Sequence, residues 1–185
     1  MADTVNEMLG LIEKGFMENK ESYLTDAMAK EERLNESEKS LTKGILGLSG
    51  NPDKRKELSA LAQAVETFER MGDEASSLIE RIEVKVAEKL LFDETSVNQF
   101  METYKTMRRS VEMMRDFLKY HDPAIRQRVI DNGFLVKDLV ERYRKEQADR
   151  LVQGVGTPLG ANMYFDMLDF TGNLARHSSN VVKLL

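Results

Sequence analysis

The sequence predicts an all-α protein: two tandem three-helix units forming an elongated antiparallel helical bundle. Three observations carry this. Apolar residues recur at three- and four-residue spacing along almost the whole chain, which gathers them on one face of successive helices. Pro, Gly, Asn and Asp cluster at a few points between those stretches, where they cap or break helices. Runs of strict apolar–polar alternation, the mark of half-buried strands, are absent.

Each element follows in order. Val5, Met8, Ile12 and Phe16 mark a short first helix. Leu24, Ala27, Glu31, Leu34, Glu38, Leu41, Ile45 and Leu48 mark a second, ended by Ser49-Gly50. From Leu58 a third seam runs through Leu61, Val65, Phe68, Gly72, Ala75, Ile79, Ile82 and Val86, close to a heptad alternation. Asn51 as N-cap and Pro52 in the first turn predict that this helix spans about 52 to 91. Asp93 caps a fourth helix carrying Val97, Phe100, Tyr104, Met107, Val111, Met114 and Leu118. Asp122-Pro123 opens a fifth with Ile125, Val129, Val136, Leu139 and Tyr143. GVGTPLG at 154–160 reads as the one long loop, before a sixth helix with Met163, Met167, Phe170, Leu174, His177, Val181 and Leu184. Three helices followed by three more read as a single domain, 1–185, made of two repeats of about 1–92 and 93–185.

Composition narrows the function. Of 185 residues, 41% are hydrophobic, enough for one continuous core. A net charge of −5 supplies no basic field for nucleic acid. With no Cys, disulfides, thiolate metal sites and thiol nucleophiles are excluded together. No apolar run approaches the roughly 20 residues of a membrane span, and no signal-peptide pattern opens the sequence, so a cytoplasmic protein is expected. Eleven Met and no Trp suit a helical bundle, and long seams allow a homodimer.

The candidate chemistry is acidic. In FERMGDEA, Glu69 and Asp73 stand four apart on one helical face, roughly 5–6 Å between Cβ atoms, within reach of one cation or one partner chain. They belong to a row of Glu66, Glu69, Asp73 and Glu80, a pattern that is commonly just a solvated face. Glu31 and Glu38 add weight, because they occupy seam positions of the second helix, with Asn35 adjoining. A carboxylate in a seam must be paired, protonated or metal-bound. Two accounts stand. Oxygen ligands on neighbouring helices suit Fe, Mn, Mg or Ca, whereas an ion pair with Arg33, Arg70 or Lys39 needs no metal. Gly72 costs the helix roughly 1 kcal/mol relative to Ala, which close approach of a neighbouring helix offsets. His121 fits a helix C-terminus beside Asp122-Pro123, and His177 reads as a core histidine. Glu-x-x-His, His-Glu-x-x-His, a phosphate-cradling loop and the nucleophile elbow are all missing, so no enzyme activity is expected.

The string FERMGDEASSL at 68–78 resembles the Leu-Glu-Arg-Ile-Gly-Asp-His-Ala-type segment of the PhoU family. AKEERLNESEKSL at 29–41 is similar to the acidic second-helix segment of PhoU repeats. DRLVQG at 149–154, YFDML at 164–168 and LARHSSNV at 174–181 resemble PhoU-like cytosolic domains of sodium/phosphate cotransporters. The resemblance implies a PhoU-like fold and a regulator of phosphate uptake, in contact with a phosphate transporter or its signalling partner at the cytosolic membrane face. It implies metal ligation, by iron or zinc in some relatives, on Glu69 and Asp73 with Glu31; Glu38 joins them from the seam reading. Zn therefore stands beside Fe, Mn and Mg. His177 and Asn180 stand at the family's His-Ala-x-Asn. The second repeat departs from the pattern: Gly172 and Arg176 replace the two acids, and the second-helix acid falls near Gly133. Asp169 and Asn173, four apart but one turn early, are a weak substitute. Two other expectations compete, a metal-storing or metal-sensing carboxylate bundle and a purely structural adaptor.

Overall fold

The computed structural model describes residues 1–48, 50, 52–90 and 92–185. The helix end expected at Ser49, the cap expected at Asn51 and the helix end expected at 91 lie outside them. Among the described residues six α-helices follow one another: α1 (Ala2–Glu18), α2 (Glu21–Leu48), α3 (Arg55–Ala87), α4 (Glu94–Tyr120), α5 (Pro123–Val152) and α6 (Pro158–Leu184). Among the described residues there is no strand. The protein is an all-α bundle.

Local chemistry sets the boundaries. Asp93 caps α4, accepting from the Ser96 amide at 3.0 Å and the Ser96 hydroxyl at 2.6 Å. Burial pushes its carboxyl up, but those two bonds and the nearby Arg150 outweigh this and hold it below the usual carboxylate range. Asp122 caps α5 with Pro123 in the first turn. At the end of α4, His121 takes the left-handed conformation at φ 52° and stacks edge-on against Phe117. Two expected boundaries move. Thr157 caps α6 and Pro158 opens it, so part of the expected 154–160 loop is helical. The third helix begins with a 3-10 turn, Pro52–Lys54, and its α-helix stops at Ala87. The stop comes from Lys89, left-handed at φ 50°, which lets the Leu90 amide close back on the Lys85 carbonyl at 3.0 Å.

Helices α3 and α6, and likewise α1 and α4, run antiparallel, as their contacts show. Along α3 and α6, Arg81 pairs with Asp166 at 2.9 Å, and further along Glu74 meets His177. Along α1 and α4, Phe16 packs on Phe100, while the Tyr104 hydroxyl donates to the Leu9 carbonyl at 2.8 Å. Helices α3 and α6 form the central pair: α1 and α2 pack on the first, α4 and α5 on the second. Buried Phe68, Met71, Leu78, Ile79 and Ile82 on α3, with Met167, Leu168 and Leu174 on α6, fill the middle. Lys85 crosses from α3 to the C-terminal end of α1, where it donates to the Phe16 carbonyl and Asn19 and lies over the Phe16 ring.

Leu34 of α2 is fully buried against Gly72 of α3. A Cβ at position 72 would stand 2.8 Å from Leu34 Cδ2. The glycine therefore exists in the helix because α2 comes too close for a side chain, a gain that offsets its poor propensity. We expect Leu34→Ala to destabilise the protein by about 3 kcal/mol through the cavity it leaves. Gly72→Ala alone is expected to cost about 1 kcal/mol, because overpacking exceeds the helix-propensity gain. In the Leu34→Ala background the same change should turn stabilising. Urea unfolding of the four proteins reads this double-mutant cycle, and an unchanged sign would place the cost of the added methyl group somewhere other than Leu34.

Candidate functional site

The acidic face lies where α2 and α3 run side by side. Glu69 is half-buried and Asp73 exposed on α3, while Glu31 and Glu38 sit half-buried on α2. The seam reading of Glu31 and Glu38 is thus corrected. The apolar contact of α2 narrows to Leu24, Ala27 and Leu34, and the two glutamates flank it with their carboxylates at the edge. Each finds a partner four residues on in its own helix: Glu31 accepts from Asn35 at 2.6 Å, Glu38 from Thr42 at 3.0 Å. Neither forms an ion pair among the described residues. Of the three candidate cations, Arg70 pairs at 2.6 Å with Glu66 on its own helix.

Glu69 is the perturbed member. Partial burial, then the negative charges of Asp73 and Glu38, push its carboxyl above the usual range, and Arg70 only partly opposes them. Glu38, Glu66 and Glu69 line one shallow recess. In kind, these oxygen donors fit a hard cation. In placement they do not, because among the described residues no three carboxylate or histidine groups converge as a ligand set.

The second polar feature is internal. Glu74, which directly follows Asp73 in the motif and drew no notice in the sequence, points into the α3–α6 interface. Its carboxylate oxygen lies 3.9 Å from Nε2 of His177, whose residue is 3% exposed. That spacing is within ion-pair range, yet the contact is not an ion pair. Burial, followed by the charges of Arg176 and Arg70, lowers the imidazole to about 4, so it is neutral at pH 7. Burial likewise raises Glu74, against a hydrogen bond from Asn173 and the charge of Arg176. The sequence signal for Glu74 was its place at the histidine of the family segment; its contact with His177 is purely tertiary.

On α6 the expected pair separates. His177 faces inward, whereas Asn180 lines an open groove between α5 and α6. Asp169, considered with Asn173 as a substitute acid step, is engaged by Arg144. Asn173 accepts from Arg176 at 3.2 Å.

These features define a class first: a six-helix antiparallel bundle on a central α3–α6 pair, with polar faces where its outer helices meet it. Residues 1–82 match the PhoU domain family. The sequence likeness covers those residues, and the fold along the chain is that of solved PhoU structures. The crystal structure of PhoU from Pseudomonas aeruginosa superposes on 99% of this chain and 88% of its own, with a TM-score of 0.89 at 13% identity. A PhoU-like protein from Shewanella oneidensis MR-1 covers 99% of this chain and 92% of its own, with a TM-score of 0.60 at 14% identity. No curated protein matches by sequence.

The buried histidine predicts acid sensitivity. An unfolded His177 takes up its proton near pH 6.5 and the folded one only near pH 4. Between those values the unfolded chain binds more protons, so stability falls as pH drops through this window, by on the order of 3 kcal/mol in full. Glu74, raised by burial, works in the opposite direction at the acid end. His177→Met should therefore flatten the fall in melting temperature from pH 6.5 to pH 4, followed by circular dichroism. An equally steep fall in the variant would assign the sensitivity to other groups.

Proposed function

We propose that this protein regulates phosphate uptake by contact with a phosphate transporter or its signalling partner at the cytosolic face of the membrane. The observation that carries this is the PhoU domain match over residues 1–82, supported by the PhoU fold along the whole chain. Among the described residues, no helix is long and apolar enough to cross a membrane, so on this reading any membrane role runs through a partner. Catalysis has no part in it; the protein acts by presenting surfaces. A homodimer is compatible with this reading. Deleting the gene is expected to change phosphate uptake or phosphate-responsive expression in the host. Unaltered behaviour in both assays would defeat the proposal.

One observation favours a second reading, cation capture on Glu69, Asp73, Glu31 and Glu38. The raised Glu69 carboxyl reflects partial burial first and then crowded negative charge that Arg70 only partly balances, and a bound Fe, Zn, Mn or Mg would relieve the crowding. Capture requires the carboxylates to turn toward one another. Elemental analysis of protein purified without chelators, beside a Glu69→Ala/Asp73→Ala variant, tests it. This reading expects about one metal per chain or more in the parent and its loss in the variant; trace metal in the parent removes it and leaves the contact role untouched.

A further inference from the structure

The three positions at which the second half departs from the acidic pattern, Gly133, Gly172 and Arg176, lie together in one groove between α5 and α6. It encloses about 640 Å³, within the range of pockets that hold small organic ligands. Residues 172, 176, 180 and 183 line it from α6, and 130, 133, 137 and 140 from α5. Each helix thus presents one face over about three turns. The helices approach closely because Gly133 leaves room for Ser179, and the absence of a side chain at 172 opens the floor beside Val140.

The charges here run against the rest of the molecule. In a chain of net charge −5, this groove carries Lys137, Arg176 and Lys183 against Glu141 and Asp169. Both acids are engaged: Asp169 by Arg144, and Glu141 by Lys137 at 3.6 Å. Arg176 donates only to the Asn173 amide oxygen, and Lys183 has no ion-pair partner among the described residues. Lys183 and Asn180 also border a recess that holds Arg70. Beside these cations stands an apolar wall of Phe134, 62% exposed, with Ile130 and Val140. A solvated basic face has no need of such a wall, and an apolar partner has no need of unpaired cations.

We propose that the α5–α6 groove binds a small amphipathic anion. Its phosphate or carboxylate sits on Arg176 and Lys183 with Asn180, and its apolar part lies on Phe134, Ile130 and Val140. The guanidinium supplies paired donors to a planar or tetrahedral anion, and the apolar wall lowers the local polarity that would otherwise weaken the attraction. The matching recess between α2 and α3, lined by Glu38, Glu66 and Glu69, repels the same ligand. This assignment does not rest on the transporter reading, and either can fail alone.

Calorimetric titration of the full chain with inorganic phosphate, hexyl phosphate and hexanol tests it. Hexyl phosphate is expected to saturate one site, about tenfold more tightly than inorganic phosphate, with no saturable binding of hexanol. Arg176→Gln/Lys183→Gln should weaken hexyl phosphate by about tenfold or more. Phe134→Ala should weaken hexyl phosphate and leave inorganic phosphate unchanged, and Lys105→Gln on exposed α4 surface should change neither. All four positions are exposed, so the variants keep the parent circular dichroism. Capture by phosphatidylglycerol vesicles that the double variant loses assigns the anion to a lipid headgroup; hexyl phosphate binding without vesicle capture assigns it to a free metabolite. Absence of saturable hexyl phosphate binding below about 10 mM, or binding that survives the double variant, overturns the proposal.

Discussion

The antiparallel contact between α3 and α6 is the constraint on which the remaining structure depends. Every other helix packs on one of these two, so their separation and register set where α1, α2, α4 and α5 can lie. Most of the interface is apolar, which fixes distance but tolerates sliding. The polar groups within it remove that freedom. Arg81–Asp166 holds one level, and Glu74, bonded by Asn173 beside His177, holds another. Moving α6 by one turn would take Asn173 away from the part-buried Glu74 carboxyl, and that cost falls on the misregistered state alone.

From this shared axis the two sides of the molecule diverge. Where α2 meets α3, the α3 face carries Glu69 and Asp73; where α5 meets α6, the α6 face carries Gly172 and Arg176. The two faces differ in electrostatic sign. The acidic side crowds carboxylates near Glu69, and the basic side leaves Arg176 and Lys183 beside exposed Phe134. A bundle that presents opposite signs on two similar surfaces can distinguish partners by charge before any detailed fit is made. Its bundle core needs no change to do so.

Much of the fold was legible because helical periodicity is a local property. The buried sets of α1, α3, α4 and α6 follow the three-four spacing directly. What failed had tertiary causes. Glu31 and Glu38 fall on a heptad stripe, but α2 contacts only α1 and α3 among the described residues, so the stripe it can bury is narrower than the heptad assumes. The ends of the third helix moved by local backbone choices, a 3-10 turn at Pro52–Lys54 and left-handed Lys89, which no glycine announced. Glu74 could not be told from its acidic neighbours by spacing, since its role comes from a residue over a hundred positions away. The basic groove was half-visible: Gly133, Gly172 and Arg176 were readable as departures, but only the packing of α5 on α6 brings them beside Phe134 and Lys183.

The unequal lengths of the first three helices have a dynamic consequence. Helix α1 has 17 residues and α2 has 28, so α2 outruns its first neighbour by roughly 16 Å at about 1.5 Å per residue. Beyond Glu38, Leu41 and Leu48 stay exposed at 42% and 57%. Separating that tip uncovers little new apolar surface, so its opening is uncoupled from melting of the bundle. Backbone amides along α2 therefore divide into two populations: slow exchangers anchored around Leu34, and fast ones toward Leu48 that trade hydrogen for deuterium while the bundle stays intact.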